Sequence, residues 1–190
     1  MTRMRVGLFL GLALHKAVWE LMRVRVGAPT GSPRSRLPTS KRLLKYSKVA
    51  VLGLLVVQTL FLDLFPISRR PALLRAVGAI LYALGLAVAI SGRVQLGSSW
   101  ANLEDAAGLP ARRLVRQGIY AYIRHPIYVG DLLLLAGLEL ALNSWLVLAA
   151  LLPFLVVLRQ VFVEESLLRA RFEEYESYSR RTKRFIPLVV

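Results

Sequence analysis

The chain has no cysteine. Disulfides, thiolate zinc sites, a cysteine nucleophile and haem attachment through cysteine are excluded with it. Histidine is scarce: His15 and His125 leave little material for a transition-metal centre, and no metal is expected. Acids are few, with 11 Asp and Glu against 26 Lys and Arg, for a formal charge of +15. There is no Gly-x-Gly-x-x-Gly and no alternation of strand and helix patterns. That excludes the usual soluble nucleotide fold, in which a Gly-rich turn joins a strand to a helix. Any nucleotide-like cofactor must be held by loops and helix ends.

What is present is mostly apolar. A hydrophobic content of 56% and a mean hydropathy of +0.53 over 190 residues are too high for an ordinary soluble domain and sufficient for one membrane domain. Five stretches suit a helix in hydrocarbon: Val6–Met22, Val49–Phe65, Ala72–Ser91, Ile127–Leu142 and Ser144–Val163. The expected fold is all-α integral membrane, a single domain over 1–190, with three spans in 1–91 and the cofactor-binding half in 92–190. The first stretch holds His15, Lys16 and Glu20, and Lys16 and Glu20 can pair at i and i+4. Arg3 and Arg5 before Val6–Leu14 imitate a signal peptide, but no small-residue cleavage site follows, so the segment is expected to be retained. Glu139, near the outer end of its span, is expected to reach water.

The positive charges cluster between the apolar runs, where the positive-inside rule and anionic lipid account for them. Membrane lipids are therefore the expected partners and nucleic acid is not. Between Met22 and Val49 lie eight Lys or Arg and no acid, broken by Gly27, Pro29, Gly31, Pro33 and Pro38, which makes this the best cytoplasmic loop. Alternation from it puts the turns around Pro66–Pro71 and Asn143 outside, and Arg93–Arg124 and the C-terminal tail inside. Arg112, Arg113, Arg116, Arg124 and Arg169–Arg184 fit that assignment, whereas Arg3, Arg5, Arg69 and Arg70 fit it poorly.

The most specific segment is Arg124-His125-Pro126-Ile127-Tyr128-Val129-Gly130. Pro126 suits the first turn of a helix and leaves His125 at the cap, where unpaired backbone N–H groups favour an anion. From Asp131 to Val163 the chain is nearly all Leu, Ala and Val, with Asn143-Ser144 as the turn signal, and so reads as a hairpin that enters the membrane and returns. Its arms are about 24 Å and 30 Å long at 1.5 Å per residue. The return brings Glu164 and Glu165 to the face that carries Arg124 and His125. Singly, His125 reads as a helix cap, Tyr128 as an interfacial anchor and Arg124 as a headgroup contact. With the Glu pair at hairpin spacing they read as one pocket. Leu168, Phe172 and Tyr175 then recur at i, i+4 and i+7, the stripe of a surface helix from about Glu164 to Arg181 that covers it.

Arg-His-Pro-x-Tyr-x-Gly followed by a Glu pair resembles the isoprenylcysteine carboxyl methyltransferase family and its relatives among membrane phospholipid methyltransferases. The resemblance runs from about Leu96 to Pro187 and takes in Leu96-Gly97, Leu114-Val115, Gly118-x-Tyr120, Tyr175-x-x-Tyr178 and Arg184-Phe185-Ile186-Pro187. It implies methyl transfer from S-adenosylmethionine to a lipidic acceptor at the cytoplasmic membrane face. The implied cofactor site comprises Leu114, Val115, Gly118, Tyr120, His125, Pro126, Tyr128, Gly130, Glu164 and Glu165. Gly130 there permits close approach, and the Glu pair accepts hydrogen bonds from the ribose hydroxyls or the ammonium group. Arg124 and Arg159 are candidates to orient an anionic acceptor, since a guanidinium holds a carboxylate bidentately without titrating; an amine acceptor would instead need to lose a proton, for which His125 or a Glu could serve, and the sequence does not choose between the two. The Leu/Ala/Arg-rich composition suggests a prokaryotic member. An alternative is the sterol-reductase family, which shares a related Arg-His-Pro-x-Tyr-x-Gly-Asp segment and binds NADPH; Asp131 fits it, while Glu164-Glu165 and the Arg181–Pro187 ending do not. A non-enzymatic protein on the same fold would bind neither cofactor.

Overall fold

Gly78, Gly85 and Gly92 lie seven residues apart, a spacing that returns nearly to the same face of an α-helix. They leave one stripe of that helix as bare backbone. In the computed structural model this stripe is the central seam. The structure describes residues 2–26, 39–61, 64–99 and 113–186. They form α1 (Thr2–Val26), α2 (Thr39–Phe61), α3 (Ala72–Leu96), α4 (Pro126–Ala141), α5 (Leu151–Arg171) and α6 (Tyr175–Arg181), with short 3₁₀ turns at Gly97–Ser99, Gly118–Ala121 and Trp145–Ala150. Among the described residues there is no strand, so the all-helical expectation holds.

α3 and α4 run antiparallel and form the most extensive helix pair. A Cβ on Gly85 would lie 2.4 Å from the Leu134 nitrogen, and one on Gly130 would lie 2.4 Å from the Ala89 nitrogen. Gly78 meets Ala141 at the end of α4, and Gly92 meets Pro126 and Ile127 at its start. Without side chains between them the backbones approach closely and gain dispersion contacts along the whole seam. α1 lies against this pair: Leu8 and Leu12 join Tyr82, Leu134, Leu138 and Leu142 in the core, and the Tyr82 hydroxyl donates to the Leu8 carbonyl at 2.6 Å.

One end of the bundle is closed by polar contacts. Arg5 donates to the carbonyls of Gln58 and Thr59, each at 3.2 Å, and Gln58 Nε2 donates to Glu139 at 2.8 Å. Glu139 is 2% exposed, which corrects the expectation that it reaches water. The reason is the neighbouring turn: Trp145 and Ile67 donate their backbone N–H groups to Phe65 and Asn143, folding the two connections over the end of α4. A buried ionisable group at this depth requires such a partner.

Among the described residues two helical rods are long and apolar enough to cross a membrane, Ala72–Leu96 and Trp145–Arg171. The expected spans fall on α1, α2, α3, α4 and the second rod, with shifted ends. α1 continues through its charged turn because Lys16 and Glu20 do pair. α2 is described as far as Phe61, and Phe65, at φ +48, is not helical. No separate helix begins at Glu164. α5 runs on to Arg171, nothing in Glu164–Arg171 interrupting it, and the chain then turns at Phe172 so that α6 folds back with Tyr175 and Tyr178 buried. A straight helix to Arg181 would have left both tyrosines outside. The proline- and glycine-broken part of the basic loop, at 27–38, together with Arg112 and Pro187, lies outside the described residues.

Candidate active site

The site forms at the other end of the seam. Gly118, at φ +61, turns the backbone and leaves room for the Gln95 amide, whose Oε1 accepts from the Ile119 N–H at 2.9 Å. A side chain at Gly118 would be strained by that φ and would strike Gln95. The 3₁₀ turn that follows seats Tyr120, whose hydroxyl donates to the Gly92 carbonyl at 3.3 Å. Tyr122–His125 then runs beside the tail. Lys183 N–H donates to Tyr122 O at 3.1 Å, Arg124 N–H to Lys183 O at 2.8 Å, and His125 N–H to Arg184 O at 3.2 Å. These bonds bring Arg184 to the start of α4.

Glu165 is the centre of this arrangement. Its side chain is 2% exposed. It accepts from Arg124 Nε at 3.0 Å, from Arg184 Nε and Nη2 at 3.1–3.2 Å, and from His125 Nε2 at 3.3 Å. Arg124 is engaged further: Nη1 also donates to the carbonyls of Ser179 and Thr182. The hydrogen bonds that Arg184 donates to Glu165 raise it above its ordinary range, and the Arg184 guanidinium lies 4.9 Å over the Phe162 ring. Burial pushes up the phenols of Tyr120 and Tyr175, and that of Tyr178 to about 12. Tyr178 spends its proton on the Tyr120 carbonyl, at 2.8 Å. These groups tie α5, α6, the tail and the start of α4 into one body.

Glu164 has a different position. Its side chain is 39% exposed, and one oxygen accepts from the Tyr128 hydroxyl at 3.2 Å and lies 3.9 Å from His125 Nδ1. The His125 ring stacks on Tyr128 at 5.7 Å and meets Phe185 at 6.1 Å. Glu164, Tyr128 and His125 thus form a small acidic and aromatic corner, open on the Glu164 side and closed behind by Glu165.

The sequence-based site divides accordingly. His125, Pro126, Tyr128, Glu164 and Glu165 come together. Leu114 and Val115 are half-buried in the segment leading to Gly118 and Tyr120, which brace the loop. Gly130 approaches Ala89 of α3 closely, because the seam needs that space. Arg124 directs Nε at Glu165 and Nη1 at Ser179 and Thr182. Arg159 stays apart, exposed on α5 six residues before Glu165. Asp131 bonds His15 Nε2 at 2.9 Å and so ties α4 to α1. Arg184 and Thr182 were not anticipated as site residues; the Arg184-Phe185-Ile186-Pro187 ending was their signal, but nothing in it says which carboxylate it meets. Among the described residues no group of three or more His, Asp and Glu is placed to hold a metal ion.

The sequence profile of the Phospholipid methyltransferase family matches residues 73–175, more than half of the chain. The chain belongs to the phospholipid methyltransferase family. The resemblance carried by Arg124–Gly130 and the Glu pair is thereby borne out, and the match also takes in most of α3, which has no motif but supplies half of the seam. Among related proteins, the chain is 31% identical over 109 residues to protein-S-isoprenylcysteine O-methyltransferase of Schizosaccharomyces pombe, covering 56% of this chain and 46% of that protein. It is 36% identical over 109 residues to the cobalt-zinc-cadmium resistance protein CzcN of Cupriavidus metallidurans, covering 55% and 46%. The chain spans about half the length of the curated relatives it matches. The solved structure of the eukaryotic intramembrane Ras methyltransferase ICMT superposes with a TM-score of 0.63 at 23% identity, over 98% of this chain and 68% of that one. That likeness establishes the family fold.

Proposed function

We propose that the protein is an integral-membrane methyltransferase that uses S-adenosylmethionine and acts on a lipidic acceptor. The observation that carries this reading is the division of the Glu pair. Glu165 is consumed in a buried clamp, and Glu164 is left half-open beside Tyr128 and His125. S-adenosylmethionine offers an ammonium group, ribose hydroxyls and a flat base, and brings a methyl group activated on cationic sulfur. The donor set fits it. Glu164 accepts hydrogen bonds from the hydroxyls or the ammonium, Tyr128 and His125 supply aromatic faces, and the N-terminus of α4 after Pro126 favours the carboxylate. Glu165, Arg124 and Arg184 hold His125 and Glu164 in place and exclude water behind them. Methyl displacement depends chiefly on such alignment.

In this reading the five apolar segments cross the membrane, and residues 92–190 form the cofactor-binding half. The site faces the cytoplasm, in keeping with Arg113, Arg116 and Arg169–Arg184 on that side. Arg159, on the same exposed face of α5 as Phe162 and Val163, orients an anionic acceptor arriving from the bilayer.

The test is equilibrium binding of S-adenosylhomocysteine and, separately, of NADPH to the detergent-purified protein and its Glu164→Gln variant. Selective binding of S-adenosylhomocysteine that weakens in the variant is the expected result. Selective NADPH binding would overturn the proposal.

A further inference from the structure

At the end of the seam opposite His125 there is a cavity of about 380 Å³, lined by Leu64, Pro66, Pro71 and Leu142 and by two arginines, Arg69 and Arg75. Among the described residues its charged lining is wholly cationic. Arg75 Nε is shut away from water and makes no hydrogen bond. A buried guanidinium donor without a partner is costly, and calls for an acceptor that completes it. The cavity is also held in shape. Asn143, at φ +61, accepts from the Ser68 N–H at 3.0 Å and donates to the Ser68 carbonyl at 2.8 Å, and Ile67 N–H donates to Asn143 O at 3.0 Å. α3 starts beside it at Pro71 with no side-chain cap. Its first-turn amides therefore add to the positive field.

The surface leading away from the cavity identifies the ligand. Leu73, Val77, Ile80 and Leu84 are 77%, 42%, 60% and 53% exposed. At spacings of four, three and four they form a continuous apolar stripe down the outside of α3, a helix long and apolar enough to cross a membrane. We infer that Arg69 and Arg75 form a phosphate site for an anionic membrane phospholipid, whose acyl chains lie along this stripe. The two non-bridging oxygens of a phosphodiester suit the donors of a guanidinium fork, which Arg69 and Arg75 bring to the cavity. Among the described residues the cavity presents no carboxylate to a headgroup ammonium, so an anionic lipid is preferred to a zwitterionic one. The site is distinct from the proposed acceptor site: α3 separates the two by about 37 Å at 1.5 Å per residue. It also gives a reason for Arg69 on a face where the positive-inside pattern does not call for it.

The full-length protein in detergent is titrated with phosphatidylglycerol, phosphatidylcholine and inorganic phosphate, with bound lipid counted by native mass spectrometry. Phosphatidylglycerol is expected to bind in preference to phosphatidylcholine, and Arg69→Gln and Arg75→Gln are each expected to weaken it about tenfold. Arg70→Gln, which removes an equal charge from outside the cavity, is expected to leave it unchanged. Arg69 is exposed, so its variant tests the site without threatening the fold. Arg75→Lys, which keeps the charge but loses the fork, is expected to bind weakly. Equal binding of the two lipids, equal loss in Arg70→Gln, or no loss in Arg69→Gln would overturn the inference. Displacement of the lipid by inorganic phosphate at equal concentration would assign the site to free phosphate and overturn the lipid.

Discussion

Glu164 and Glu165 are neighbours in the chain but differ widely in exposure, 39% of the side chain against 2%. Helical geometry turns adjacent residues 100° apart, so one enters the clamp and the other stays at its edge. Glu165→Gln leaves Arg124 and Arg184 without their counter-ion, and is expected to cost about 3–5 kcal/mol in thermal unfolding in detergent. Glu164→Gln is expected to stay within about 0.5 kcal/mol of the parent while weakening S-adenosylhomocysteine binding about tenfold. The reverse pattern would exchange the two roles. Tyr178 gives a pH test at the same scale. Burial raises its phenol to about 12, so its contribution is fully present below the ordinary value near 10 and is lost as pH rises towards 12. Tyr178→Phe should flatten that alkaline loss of stability, at the expense of the bond to Tyr120.

At the scale of elements, the α3–α4 seam depends on what its glycines lack. Gly130→Ala places a methyl 2.4 Å from the backbone of Ala89, and only separation of the helices relieves it. The expected loss is about 1–3 kcal/mol by thermal unfolding. Gly7→Ala is the converse: nothing lies within 4 Å of the added methyl. It should stabilise α1 by about 0.5–1 kcal/mol through backbone entropy alone. The spacing of seven was open to reading in the sequence, but a glycine stripe does not name its partner helix. The same limit explains Gly130, which stands in a motif that suggests ligand approach yet packs on α3. The break after α5 was hidden because Phe172-Glu173-Glu174-Tyr175 contains no proline or glycine. It forms because burying Tyr175 and Tyr178 outweighs two more turns of exposed helix.

At the scale of the whole molecule, the network around Glu165 joins the tail as far as Ile186 to the start of α4, so that part of the tail and the site share one face. A C-terminal tag is expected on the cytoplasmic side in an accessibility assay, and an external tag would reverse the orientation. Composition pointed to a helical, apolar protein, because hydrocarbon admits only helices and closed barrels and long unbroken Leu/Ala/Val runs suit the helix. The Arg-His-Pro-x-Tyr-x-Gly segment with its Glu pair determined the family, since those residues act together over a short, readable distance. Only the tertiary structure decided which groups are spent on holding the fold and which stay open. The partners that Arg124, Arg184, Glu139 and Asp131 take up are not written in the sequence, because a hydrogen bond or ion pair is settled by geometry a few ångströms wide.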